Sequence, residues 1–272
     1  MATFLVNGRP ADVIDANDRG LAYGDGVFRT LRVRGGRPLN WARHYRLLAR
    51  DCAMLGLDCP GEATLADEIR RVAAGDAVAK VMVTRGAGGR GYALPEASAA
   101  TRIVAAYPVP ADDAAARDGV RVRRCELVLS EQPRLAGVKS LNRLENVLAR
   151  AEWSDAGIRE GLLADAAGRL VEGTMSNVFL VLDGVLVTPD LSRCGVAGAQ
   201  RERIVDLADA AGIRCEIRDV AFAELQAAAE VFVANSVIGL WPAVALDAQR
   251  WLPGPLTRRL QALVEEADAH GD

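Results

Sequence analysis

Amine chemistry in this chain has two addresses. Of its 33 basic residues only Lys80 and Lys139 are lysines; the other 31 are arginines. Lys80 lies inside Val78-Ala79-Lys80-Val81-Met82-Val83, where strand alternation puts it on one face with Val78 and Met82. A lysine in that setting is paired or reaches toward a sheet edge. Lys139 lies in Leu135-Ala136-Gly137-Val138-Lys139-Ser140-Leu141-Asn142-Arg143, between an irregular loop and a helix start. Small and apolar neighbours desolvate an amine, which lowers its proton affinity and makes it a nucleophile. The positive end of a following helix pushes the same way. An ordinary loop lysine is the other reading of the same residues.

Three further segments carry matching chemistry. Glu172, in Leu170-Val171-Glu172-Gly173-Thr174-Met175-Ser176-Asn177, ends a short strand, where an acid can hold a ring nitrogen protonated; a solvated strand-end glutamate is the alternative. Gly195-Val196-Ala197-Gly198-Ala199 is a small-residue loop opening a helix, a setting suited to phosphate. Asn235-Ser236 brings an amide and a hydroxyl to a strand end. A nucleophilic lysine, an acid and an anion cradle are together what pyridoxal phosphate requires.

Other chemistries are poorly supplied. Two histidines, His44 and His270, cannot build a multi-histidine metal site. A net charge of −3 argues against a nucleic-acid surface. No window approaches the roughly 18 apolar residues of a membrane span. Five irregularly spaced cysteines without a C-x-x-C read as reduced thiols of a cytoplasmic protein. Gly86-Ala87-Gly88-Gly89-Arg90-Gly91 matches a dinucleotide-binding G-x-G-x-x-G, but it runs into Pro95 rather than opening a helix, so a nicotinamide-dependent oxidoreductase is a weak rival. A non-enzymatic binding module leaves the lysine, acid and phosphate loops unexplained.

The elements that position these groups alternate in type. Phe4–Val6 and Asp12–Ile14 read as strands around a turn, followed by a strand at Val27–Arg34. Trp41–Leu55 is a helix stopped by Gly56, and Ala63–Ala74 is a second. Ala77–Thr84 and Ile103–Tyr107 are β-rich. Pro108–Asp113 reads as a linker, dividing a small α/β domain at 1–107 from a larger one at 114–272. Beyond it come a strand at Val120–Leu129, a helix at Ser140–Ala156 with Ser140 as its cap, and a hairpin through Asp183-Gly184. A helix at Ala199–Ala211, strands at Ile213–Val220 and Glu230–Ala234, and a final helix at Leu256–Glu266 complete an α/β (α+β) fold.

Asp18-Arg19-Gly20-Leu21-Ala22-Tyr23-Gly24-Asp25-Gly26-Val27-Phe28 resembles the N-terminal signature of the class IV pyridoxal-phosphate enzymes of branched-chain and D-amino-acid type. Leu170–Phe179, with its E-G-T-x-S-N core, resembles that family's central motif. The runs Thr84–Tyr92 and Leu135–Glu145 resemble a lyase branch that converts an aminated chorismate, 4-amino-4-deoxychorismate, to 4-aminobenzoate and pyruvate. An aminotransferase for branched-chain or D-amino acids is the nearest alternative. The resemblance implies a small and a larger α/β domain with pyridoxal phosphate between them, in a homodimer. It implies Lys139 as the Schiff-base lysine, Lys80 as structural, and Glu172 as partner of the pyridine nitrogen. Gly198, Ala199, Asn235 and Ser236 would hold the phosphate. Arg85, Arg90, Tyr92, Asn142 and Arg29 are candidates for the substrate. The family's H-x-x-R-L pattern meets His44-Tyr45-Arg46-Leu47-Leu48 here: aligning His44 puts Leu47 in the arginine's place, and aligning Arg43 to the histidine puts Arg46 there as a phosphate ligand.

Overall fold

The computed structural model describes residues 3–96, 99–110 and 113–270. They divide into two compact units, the first holding the chain up to Pro110 together with Val138–Asn142, the second Ala111–Gly137 and Arg143–His270. The expected linker falls partly on residues 111 and 112, which lie outside the described residues, and its last residue already begins a helix.

In the first unit, β1 (Thr3–Val6), β2 (Arg9–Pro10), α1 (Arg19–Tyr23), β3 (Gly26–Arg34), β4 (Arg37–Pro38), α2 (Trp41–Leu55), α3 (Glu62–Val72), β5 (Ala77–Thr84) and β6 (Thr101–Tyr107) follow one another. Among the described residues the strands form one antiparallel sheet in the order β2-β1-β6-β5-β3-β4. Burial alternates from Val27 to Val33 in β3 and from Ala79 to Val83 in β5. Val27, Arg29, Leu31, Ala79, Val81 and Val83 face the core, and Phe28, Thr30, Lys80 and Met82 lie on the other, partly exposed face. The core side meets Leu48 and Cys52 of α2 and Leu65 and Ile69 of α3. Asp12–Ile14 is irregular rather than a strand: the chain turns at Asn7-Gly8, so the short β2 takes the pairing with β1.

The second unit contains α4 (Asp113–Asp118), β7 (Val120–Leu129), α5 (Leu144–Arg150), β8 (Ile158–Asp165), β9 (Leu170–Gly173), β10 (Asn177–Leu182), β11 (Val185–Pro189), α6 (Ala199–Ala210), β12 (Cys215–Arg218), a 3-10 turn, β13 (Glu230–Asn235), β14 (Gly239–Leu246), β15 (Gln249–Arg250) and α7 (Pro255–His270). Its mixed sheet runs β12-β11-β10-β13-β14-β7-β8-β9, with β15 against β14. The central strands are buried on both faces and therefore read as unbroken apolar runs. Val178, Leu180, Val231 and Val233 point to one core; Phe179, Val181 and Phe232 point to another, against Ile204 and Ala208 of α6 and Leu260 of α7. The Phe179 and Phe232 rings stack there, 4.8 Å apart.

The expected helix at Ser140–Ala156 is shorter. It begins at Leu144, and Ser140 is not its cap but forms a bridge with Val27 of β3. Pairing with β3 outweighs the local helical pattern. The segment carrying Lys139 thus belongs to the first unit, not to the larger domain that the sequence assigned it to.

Candidate active site

The Lys139 segment lies along β3 as an added strand. Phe28 N–H donates to the Lys139 carbonyl and Leu141 N–H to the Gly26 carbonyl, both at 2.9 Å, and Val138 is buried in the sheet's core. The Lys139 N–H donates to Asp51 Oδ2 at 3.0 Å. Asp51 is fully buried on α2, where it also pairs with Arg29 and accepts from Arg50 Nη2 at 2.8 Å. A buried carboxylate is stable only with such partners. The Lys139 side chain projects over the open face, with Nζ 4.7 Å from the centroid of the Phe28 ring.

This corrects the reading of Arg29 as a substrate ligand. Strand alternation turns it to the opposite face from Phe28, and its guanidinium is spent on Asp51 and the Leu47 carbonyl. It bears on Lys139 through Asp51.

The N-terminal signature seats the same segment. Asp18, fully buried, caps α1 through Gly20 N–H at 2.8 Å and accepts from Thr84 Oγ1 at 2.9 Å. Gly24, at φ +65°, ends α1; a Cβ there would fall 2.5 Å from Asn142 Oδ1, and one on Gly26 would fall 2.7 Å from Leu141 Cδ1. The glycines of the signature therefore make room for the residues that follow Lys139. Asn142 donates to the Gly24 carbonyl at 3.2 Å, which gives this substrate candidate a fastening role.

Arg85 is also corrected. It is buried and binds both oxygens of Asp25 as well as the carbonyls of Leu55 and Gly56. Burial disfavours the charged form of Asp25, but the bonds from Arg85 and Arg19 outweigh it and hold the carboxyl below its usual range. The glycine loop is clamped to α1: Arg19 N–H donates to the Gly86 carbonyl, Gly88 N–H to the Asn17 carbonyl, and Gly91 N–H to Tyr23 Oη. No helix follows it, so it lacks the dinucleotide-binding context. Arg90 and Tyr92 stay exposed on this loop, the Tyr92 ring resting 5.4 Å from that of Tyr23. Arg46 stands on the exposed side of α2, while His44 and Leu47 are buried.

In the second unit, Glu172 is buried at the end region of β9, and its Oε2 accepts from Val196 N–H at 2.8 Å. The Val196 carbonyl accepts from Asn177 Nδ2, also at 2.8 Å. The E-G-T-x-S-N motif thus grips, from both ends, the loop that opens α6. That loop fits an anion. No side chain caps α6 at Gly198, so the helix start keeps its positive end and N–H donors for another acceptor. A Cβ on Gly198 would fall 2.3 Å from Asn177 Oδ1, so only glycine lets the backbone pass here. Asn235 ties its own loop to the motif, donating to the Met175 carbonyl at 3.0 Å and accepting from Val237 and Ile238 N–H groups.

Sequence reasoning missed Glu160. This carboxylate, on β8, is fully buried and accepts from Gly161 and Thr174 N–H, from Thr174 Oγ1 at 2.5 Å and from Ser176 Oγ at 2.6 Å. Burial pushes its carboxyl up, against the hydrogen bonds that favour the charged form. The threonine and serine of the central motif therefore serve Glu160. An acid on a strand running into Leu162-Leu163-Ala164 was the available signal. Lys80, expected to be structural, lies on the same face, with Nζ 5.0 Å from the centroid of the same Phe28 ring.

Comparisons with known proteins agree with this architecture. Residues 26–246 match the family described as amino-transferase class IV. A curated aminodeoxychorismate lyase of Vibrio harveyi is 32% identical, covering 95% of this chain and 98% of its own. A putative branched-chain-amino-acid aminotransferase of Methanocaldococcus jannaschii is 31% identical, covering 90% and 88%. The crystal structure of 4-amino-4-deoxychorismate lyase from Pseudomonas aeruginosa superposes with a TM-score of 0.93 at 50% identity, over 97% of this chain and 98% of that one.

Proposed function

The chain belongs to the class IV amino-transferase family, and from that premise we propose that it is a pyridoxal-phosphate-dependent lyase that converts 4-amino-4-deoxychorismate to 4-aminobenzoate and pyruvate, a step of folate synthesis. The observation that carries this reading is the seat of Lys139: its backbone is fixed to β3 and Asp51 while its amine lies on the open face of the first sheet. When bound, pyridoxal 5′-phosphate supplies an aldehyde for amines and a ring that accepts electrons. Lys139 would hold the cofactor, and its free amine would take the proton from C4 of the substrate. Glu172, oriented by Val196 N–H, would keep a proton on the pyridine nitrogen. The N–H groups at Gly198 and Ala199, with Asn235 and Ser236, receive the phosphate. Arg90 and Tyr92 are exposed on the glycine loop and available to the substrate. Loss of the enolpyruvyl group from C3 then makes the ring aromatic, which drives the reaction.

The lyase reading is supported by similarity to two lyases over nearly the whole chain, one at 50% identity. A transaminase of the same fold is the second reading, favoured by the relative from M. jannaschii. We read the protein as a homodimer: Leu144, Val147 and Leu148 are 68%, 60% and 54% exposed at successive positions along one face of α5, an apolar stripe suited to a second copy. Five unbridged cysteines support a reducing, cytoplasmic setting, and no helix of the described residues is long and apolar enough to cross a membrane.

Purified enzyme given 4-amino-4-deoxychorismate should release 4-aminobenzoate, and Lys139→Ala should lower turnover at least 1,000-fold, on the order expected for loss of a covalent-catalysis amine. Borohydride reduction followed by peptide mass analysis should find the cofactor on Lys139. A label on Lys80, or amino-group transfer from an amino acid to 2-oxoglutarate with no 4-aminobenzoate, overturns the reading.

A further inference from the structure

Both lysines of the chain meet at one aromatic ring. Lys139 Nζ and Lys80 Nζ lie 4.7 Å and 5.0 Å from the Phe28 centroid, so the two nitrogens are at most about 10 Å apart. Register explains the convergence. In the β3–β5 pairing Phe28 stands opposite Met82 and Thr30 opposite Lys80, which puts all four side chains on the open face of the first sheet. Lys139 reaches that face from the strand added alongside Phe28.

Lys80 is in an unusual electrostatic position. Burial lowers its amine below the ordinary lysine range, and among the described residues no carboxylate acts in the other direction. Among the described residues arginines, not Lys80, take the acidic partners. A partly desolvated cation of this kind gains strongly from an anion brought by a ligand. The ligand's own attachment point is close by, at the Lys139 amine. Within that bound, a six-membered ring with an amine on one side and a carboxylate on the other can engage both nitrogens at once. An α-amino acid, with amine and carboxylate on one carbon, holds the two groups much closer together.

We propose that Lys80 binds the ring carboxylate of the substrate while the substrate's amine is engaged at Lys139, and so selects a cyclic amine carrying a carboxylate across the ring over α-amino acids. This rests on the lyase reading for its reaction but not for its binding test. Lys80 makes no bond to the reacting carbons; it fixes the ring by its far end, so that the C4–H bond stays beside the Lys139 amine.

The test uses holoenzyme with Lys80→Met and Lys80→Arg. Both variants should keep the visible absorbance of the lysine-bound cofactor. Lys80→Met should raise KM about ten- to a hundredfold with kcat changed less than about threefold, the pattern of lost binding rather than lost chemistry, and Lys80→Arg should recover most of the loss. Calorimetry supplies the second readout. Affinity for 4-aminobenzoate should fall about tenfold or more in Lys80→Met, while affinity for aniline, which lacks the carboxylate, should not change. Unchanged KM and unchanged 4-aminobenzoate affinity overturn the proposal, as does an equal loss for aniline, which marks a merely structural lysine. Wild-type enzyme that binds 4-aminobenzoate through Lys80 but produces none overturns the lyase reading and leaves this assignment standing.

Discussion

Two buried carboxylates set the backbone on which the reactive groups stand. Asp51 holds the Lys139 N–H, and Glu160 holds the turn of Thr174, Met175 and Ser176 that follows Glu172. Glu160→Gln replaces one oxygen by an amide nitrogen that faces hydroxyl and backbone donors. It is expected to cost about 2–3 kcal/mol in urea unfolding, because buried donors are left unpaired. It should also loosen cofactor retention, seen as loss of visible absorbance on dialysis; full retention with wild-type stability rules this role out. At this scale, legibility depended on where a residue's partners are. Lys139 and Glu172 stood out by type within short motifs. Arg29 and Arg85 were misread as ligands because their partners, Asp51, Asp25 and the carbonyls of α2, are distant in sequence. The partner of Thr174 and Ser176 was hidden because Glu160 lies 14 residues before the first of them.

Elements were legible where their local pattern is complete, strands and helices alike. The alternation in β3 and β5 is visible in the sequence, and the structure puts Val27, Leu31, Val81 and Val83 on the core face as the period of two requires. β10 and β13 were legible as apolar runs. α5 was overextended, because Ser140 and Leu141 pair with β3 and the helix opens only at the Val147 N–H bond to the Arg143 carbonyl. What remains of α5 packs Ala149 inward and turns Leu144, Val147 and Leu148 outward. Replacing Leu144 and Val147 together by Glu should convert the proposed homodimer to monomer in light scattering, since like charges would face each other across the two-fold axis. A dimer that survives the double substitution removes α5 from the interface.

At the scale of the whole molecule, the family and fold class were legible, and the discontinuity of the first unit was not. Composition and periodicity carry no sign that Val138–Asn142 returns to a sheet completed 31 residues earlier at Tyr107. Hydrogen exchange on the intact protein tests that membership. The Phe28 and Leu141 amides should exchange in step with those of β3 and β5. Leu65→Ala, a cavity in the first unit's core costing about 2–5 kcal/mol, should speed both; Leu180→Ala, in the second unit, should leave them slower to respond. The opposite ranking would assign the lysine segment to the second unit.

The returning segment also sets an order of events during synthesis. The first sheet's helices, its core and five of its neighbouring strand pairings are encoded before Pro110, so they can assemble on a chain still being translated. The reactive amine arrives later, with the edge that seats it, once residue 142 has left the ribosome. Termination between residues 110 and 138 therefore leaves all six strands of the first sheet encoded but lacking Lys139 and the added strand that seats it.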